Sequence, residues 1–218
     1  MARFGITSKK AYGISVPIIR KLAKEIGQEH ILAQKLWSSG ILEARIIGAL
    51  IDDPALVSEG QMDRWATDFD NRAICDACCG NLFDKTPFAW KKARGWSERK
   101  EEFVKRAGFA LMAYLAVHDK KADDESFLKF LPVIKREAID ERNFVKKAVN
   151  WALRQIGKRS LSLNRKSIRT ALEIQKINST SARWIATDAL REFTSVPVAK
   201  QLKKKRLLTE YSVEEQKS

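Results

Sequence analysis

Phe103-Val-Lys-Arg-Ala-Gly-Phe-Ala-Leu111 returns 41 positions later as Phe144-Val-Lys-Lys-Ala-Val-Asn-Trp-Ala-Leu153. The later copy keeps the apolar pair, the basic pair and the alanine in register. A third echo lies 37 positions further on, where Trp151-Ala-Leu-Arg-Gln-Ile156 matches Asp188-Ala-Leu-Arg-Glu-Phe193. Recurrence at about 40 residues is the mark of stacked helical repeats, because one helical unit cannot bury its own apolar face and must pack on the next. Proline and glycine are scarce, 5 and 10 in 218 residues. They fall mostly between helical patterns, and no segment shows the period-two alternation of a strand. The chain reads as all-α.

The helices can be placed from their ends. Ser15 can cap the first, Pro17 suits its first turn, and the pattern runs through Ile18, Leu22 and Ile26 to Gly27. Further helices are expected over about 28–37, 41–51, 59–69, 71–83, 87–94, 98–117, 125–138, 142–158, 164–176 and 181–193. Residues 1–196 are read as one domain and 197–218 as a basic, then acidic, C-terminal tail. Within that tail Lys200, Lys203, Lys204, Lys205 and Arg206 read as a solvated cluster, with contact to phosphate as the alternative.

The formal charge is +14, and its placement says more than its size. Residues 1–80 hold ten Lys/Arg and ten Asp/Glu, whereas residues 81–218 hold 31 and 17. A one-sided basic field attracts polyanions, and basic residues recur at matching places in the repeats, so nucleic acid is the expected partner. No stretch nears the roughly 20 apolar residues needed to cross a bilayer. No helix is expected to combine a wide bulky apolar face with an exposed lysine rim, which argues against a membrane surface. The N-terminus lacks the apolar core of a signal peptide, so a cytoplasmic location is expected. Cys75, Cys78 and Cys79 are odd in number and clustered on one helix, which argues against a disulfide framework. With only His30 and His118 as histidines and no second cysteine pair, they are read as packing residues and no metal is expected.

The repeated helices carry two stripes. Phe144, Val145, Ala148, Val149, Ala152, Leu153 and Ile156 form the apolar face. Lys147, Trp151, Arg154 and Lys158 form a second stripe, which makes Lys147, Trp151 and Arg154 candidates for DNA contact. In the earlier copy Arg106 takes the place of Lys147. Ala110 and Ala113 follow it and leave room for a phosphodiester backbone; the alternative for Arg106 is a pair with Glu102 one turn back. In the third copy Arg183 and Trp184 align with Lys146 and Lys147 and can extend the basic face, although Trp184 can equally pack inward.

Tyr12-Gly-Ile-Ser-Val-Pro17 with Arg20-Lys-Leu-Ala-Lys24, Leu36-Trp37 followed by Glu43-Ala-Arg45, Asp70-Asn-Arg-Ala-Ile-Cys-Asp76 and Phe144-Val-Lys-Lys-Ala-Val-Asn-Trp151-Ala-Leu-Arg154 resemble, in order and spacing, the AlkD-like DNA alkylation repair proteins. The resemblance covers about residues 10–193. It implies HEAT-like helical repeats forming a curved α-superhelix with a concave DNA-binding face. It also implies a monofunctional DNA glycosylase acting, without metal or organic cofactor, on cationic alkylpurines of the 3-methyladenine and 7-methylguanine type in duplex DNA. Position by position, the catalytic aspartate falls on Asp76, its aromatic partner on Trp151 and the phosphate-contacting arginine on Arg106. A monomer is expected.

The chemistry is consistent with so small a set. Alkylation at N3 or N7 makes the purine cationic and already a good leaving group, while the sugar gains oxocarbenium character as the bond breaks. One carboxylate can stabilise that charge and orient water, where ordinary glycosidases use two. An aromatic face can hold the deoxyribose. One departure from the family pattern stands out, since the family usually has tryptophan four residues before the aspartate and this chain has Arg72. Arg72 can pair with Asp76 one helical turn away, or grip a phosphate. Two further readings stay open: a non-catalytic module of the same fold that binds damaged or branched DNA, and a scaffold for acidic protein partners.

Overall fold

A computed structural model describes residues 10–204. Among them the regular elements are helices and no strand occurs: α1 (Val16–Ile26), α2 (His30–Ser38), α3 (Leu42–Ile51), α4 (Glu59–Thr67), α5 (Arg72–Asn81), a 3-10 turn (Phe83–Lys85), α6 (Ala89–Ser97), α7 (Glu102–His118), α8 (Asp124–Leu128), α9 (Leu131–Glu137), α10 (Asn143–Gly157), α11 (Leu161–Gln175) and α12 (Thr180–Phe193). Residues 196–204 are also helical and bury Val198 and Leu202. Lys205 and Arg206 of the expected basic cluster lie outside the described residues. The all-α expectation holds. The single helix expected over 125–138 is instead two, α8 and α9. Pro132 has no N–H to donate and is tolerated only in a first turn, so the chain restarts around it. The chain divides into two compact units, Met1–Leu111 and Met112–Ser218.

In the first unit α1 ends at Gly27, whose φ of 78° is accessible without strain only to glycine. Ile19 and Ala23 are buried where α1 packs against α3. Val16, Ile18, Leu22 and Ile26 of the same helix are exposed beside Arg20, Lys21 and Lys24. An apolar stripe with a basic rim therefore does exist, contrary to expectation, because only part of the apolar arc of α1 faces its neighbour. No helix among the described residues is long and apolar enough to cross a membrane.

Two of the sequence motifs are explained by one carboxylate and one ring. Glu43 is buried and accepts the backbone N–H groups of Tyr12, Gly13 and Ile14 at 3.0, 2.7 and 3.3 Å. Burial pushes its pKa up, but these hydrogen bonds outweigh it and hold the carboxyl below its usual range. Tyr12-Gly-Ile and Glu43 thus belong to one anchoring device. Trp37 stacks on Trp65 with ring centroids 3.9 Å apart and donates its indole N–H to Asp68 at 2.8 Å. The Arg45 guanidinium lies 5.0 Å from the Trp37 ring and also reaches Asp68. Trp37 and Arg45 therefore serve packing of the first unit.

In the second unit Val145, Ala148, Val149, Ala152, Leu153 and Ile156 of α10 are all fully buried, as the apolar stripe requires, whereas Phe144, expected in the same stripe, is only half-buried. Helix α10 packs on α11 and α12, and α11 on α12. Polar bonds between successive layers join residues one repeat apart. Asn150 donates to Asp188 at 2.7 Å, Lys135 to Glu173 at 2.7 Å and Ser179 to Glu141 at 2.9 Å, each pair separated by 38 positions. In the first unit the equivalent separations are shorter: 28 for Cys79 to the Ala107 carbonyl, 29 for Lys92 to Asp63 and 31 for Trp37 to Asp68. The two units thus join neighbouring helices at different sequence separations.

Candidate active site

Helix α5 starts at a buried cap. Asn71 is fully buried, and its side-chain carbonyl accepts from the backbone N–H groups of Ala73 and Ile74 at 2.9 and 3.2 Å, satisfying two of the donors that every helix N-terminus leaves open. The cap fixes the rotation of the helix. Ile74, Cys75, Cys78 and Cys79 then face the core, while Asp76 keeps 27% of its side chain exposed.

Asp76 does not pair with Arg72. It is clamped by Arg106 of α7, whose Nε donates to Oδ1 at 3.0 Å and whose Nη2 donates to Oδ1 and Oδ2 at 2.8 Å each. The arginine is 5% exposed, so the pair is a nearly buried cation holding a carboxylate that still meets solvent. Burial alone would lower the Arg106 pKa. The Asp76 charge and hydrogen bonds outweigh it, and the guanidinium is raised above its usual range. The two residues assigned to separate tasks by the sequence are thus one ion pair, and the Glu102 alternative is not the arrangement found. Arg72 is exposed at the first position of α5 and makes no ion pair among the described residues.

The cysteines stitch α5 to α7. Cys75 and Cys79 donate their thiols to the carbonyls of Phe103 and Ala107, both at 3.7 Å. Burial, helped by the neighbouring thiols, pushes Cys78 and Cys79 well above the usual cysteine range, so neither forms a thiolate readily.

The remaining candidates belong to the second unit. Trp151 is half-buried on α10, and its ring meets Tyr114 of α7 nearly edge-to-face, at 4.9 Å and 79°. Tyr114 in turn lies 5.5 Å from His118, one helical turn on. Sequence reading missed both residues, although two rings four positions apart on a helix share a face. Lys147 is exposed one turn before Trp151. Arg154 and Lys158 both reach Glu192, so these two cations of the stripe hold α10 to α12. Lys146 stands 5.3 Å from the ring of Trp184, which is 39% exposed. Arg183 is exposed and donates to Asn178 at 3.2 Å.

The pattern of the DNA alkylation repair enzymes matches residues 1–193. The chain belongs to this family. No curated protein matches it in sequence. Among solved structures, the chain is similar to a protein of "a new family of proteins related to the HEAT-like repeat DNA glycosylases with affinity for branched DNA structures". The TM-score is 0.70 at 20% identity, over 87% of each chain. At that identity the likeness shows the fold: this DNA alkylation repair family member is built from HEAT-like helical repeats. The helices that carry Asp76, Arg106 and Trp151 all lie within the matched residues.

Proposed function

We propose that the protein is a monofunctional alkylpurine DNA glycosylase, acting as a monomer on duplex DNA, with Asp76 as the carboxylate that attends bond cleavage. The observation that carries this reading is the Arg106 clamp, which fixes both oxygens of Asp76 while part of the carboxylate meets solvent. A carboxylate pre-set in this way does not have to reorganise as charge develops on the sugar, which is where electrostatic stabilisation is most effective. The glycosidic bond breaks with its electron pair passing to the cationic purine, which leaves neutral. Water then bonds to C1′ and its proton passes to Asp76 or to solvent. Trp151 offers an aromatic face, and Lys147, Arg183 and Lys146 with Trp184 offer cationic contacts for phosphate. The test is release of free base from duplex DNA carrying 7-methylguanine. Release no faster than the spontaneous rate would remove the catalytic reading.

One observation favours the second reading, a DNA-binding module without catalysis. Arg72 stands where the family pattern has tryptophan, and a cation at the positive end of a helix opposes the helix dipole rather than complementing it. Its exposed guanidinium suits the gathering of a phosphate, and the structural relative is described by affinity for branched DNA. The two roles of position 72 can be separated. Arg72→Trp should raise base release about threefold if an aromatic face at that position favours the cationic state, and should lower duplex affinity by removing a phosphate contact. Unchanged or lower release in single-turnover assays would show that the missing ring does not limit the rate.

A further inference from the structure

Helix α11 takes no part in the proposed bond cleavage, yet one of its faces is almost wholly cationic. The helix packs on both α10 and α12. Leu163, Ser167, Ala171 and Ile174 recur at helical spacing and are buried on that side. With about 3.6 residues per turn, Arg165, Arg169 and Lys176 fall on the opposite side in one narrow stripe, about 6 and 10 Å apart along the axis. All three are exposed, and none forms an ion pair among the described residues. The one carboxylate of α11, Glu173, is engaged by Lys135 of α9 at 2.7 Å. The hydrogen bond and charge of Lys135 hold the Glu173 carboxyl below its usual range, and Lys176 and Arg169 add to the same positive field. The face therefore keeps an excess of cations. It is convex, as the outer side of a single helix is, and Leu172 is its one exposed large apolar side chain. An acidic peptide binds tightly through anchors seated in pockets, which this face does not offer. A nucleic-acid backbone needs none, because release of its condensed counter-ions supplies the affinity. Lys147 of α10 and Arg183 of α12 lie outside the buried sides of their helices. A duplex held by them leaves the outer stripe of α11 uncovered.

We infer that Arg165, Arg169 and Lys176 form a second phosphate-binding face, so that one molecule of the protein holds two separate linear duplexes at once. The inference rests on the reading that the protein binds duplex DNA, and it is independent of whether a glycosidic bond is cleaved. The experiment mixes the full chain with two short linear duplexes of one sequence, one carrying a donor dye and the other an acceptor. Energy transfer should rise to a maximum near one protein per two duplexes. It should fall as more protein is added, because each duplex then has a molecule of its own. Sedimentation at the maximum should give one protein with two duplexes. Affinity for the second duplex should fall with salt at a log–log slope of about −2.7, for three phosphates at about −0.9 each. The triple variant Arg165→Gln/Arg169→Gln/Lys176→Gln changes only exposed positions, and glutamine is about as good a helix former as the residues replaced. It should bind the second duplex at least about tenfold more weakly while first-duplex affinity stays within about twofold. A wild type that never carries two duplexes, a maximum that needs two proteins, or a triple variant that still joins them would overturn the inference. So would poly-glutamate displacing the second duplex as readily as unlabelled duplex of equal charge, which would make the stripe a surface for acidic protein. Failure to bind any duplex would overturn the DNA-binding reading as well, whereas binding of a single duplex overturns this inference alone.

Discussion

Asp76→Asn should reduce release of 7-methylguanine by at least about 100-fold in single-turnover assays, the usual cost of removing one pre-set electrostatic contact to a transition state. The substitution keeps the size and polarity of the side chain but removes the charge that opposes the sugar cation. It also leaves the Arg106 guanidinium nearly buried without its counter-ion, and breaking such a pair from one side costs about 2–3 kcal/mol of stability, towards the low end because Asp76 is partly in water. A fall in activity alone is therefore ambiguous between chemistry and folding. The double variant Asp76→Asn/Arg106→Met separates them. With both charges gone the unfolding midpoint in urea should return most of the way to the wild-type value, because an apolar side chain suits a site that buries its guanidinium. Base release should stay as low as in the single variant. Recovery of activity together with stability would show that Asp76 acts only as the counter-ion of Arg106.

That ion pair also marks where sequence reasoning stopped. The repeat was visible because matching apolar positions are buried in successive copies, Val104 and Ala107 in α7 and Val145 and Ala148 in α10. The same period misleads in the first unit. There Asp76 and Arg106 are 30 positions apart, so the spacing of 41 taken from α7 and α10 does not place them together. Arg72, four residues from Asp76, offers either an ion pair or a phosphate contact, because local spacing is the only geometry a sequence displays directly. In three dimensions the Asn71 cap sets α5 so that Asp76 meets α7, while Arg72 stays at the helix start in water. The basic stripe of α10 was read as a single contact surface. Its periodicity is real, but Arg154 and Lys158 find Glu192 on the next layer, whereas Lys147 does not share that partner. Charge along one helix shows which residues share a face, but not what that face meets.

The motifs that carried the family resemblance divide in the same way. Tyr12-Gly-Ile, Glu43, Trp37 and Arg45 pointed correctly to the family, and their physical work is to anchor a segment and stack two indoles. Only the Asp70–Asp76 segment and the Phe144–Arg154 segment contain residues proposed to meet DNA. A resemblance spread over a whole chain is largely a resemblance of packing, and the chemistry resides in the few positions that packing leaves exposed.

Gly108→Ala should destabilise the protein by about 3 kcal/mol or more, lowering the thermal midpoint by about 6–12 °C. Gly108 lies in the middle of α7, where alanine would ordinarily be favoured by up to about 1 kcal/mol. Here a Cβ would stand 2.4 Å from the backbone N of Ser97 and 2.9 Å from the carbonyl oxygen of Ala93. Those are backbone atoms of α6 and cannot swing aside, so α7 must move away from α6 by about the width of the added methyl. Arg106 sits two residues before this crossing, and its guanidinium geometry toward Asp76 depends on where α7 lies. The variant should therefore lose base release beyond what its folded fraction explains. Gly95→Ala is the matched control, because a Cβ there meets nothing within 4 Å and the change should stabilise α6 by a few tenths of a kcal/mol up to about 1 kcal/mol. Equal and small effects of the two substitutions on the urea midpoint would mean that α6 and α7 do not cross this closely in solution. Opposite signs, with the loss confined to Gly108, would fix the close crossing as the feature that keeps α7, and with it the Arg106 clamp, in place.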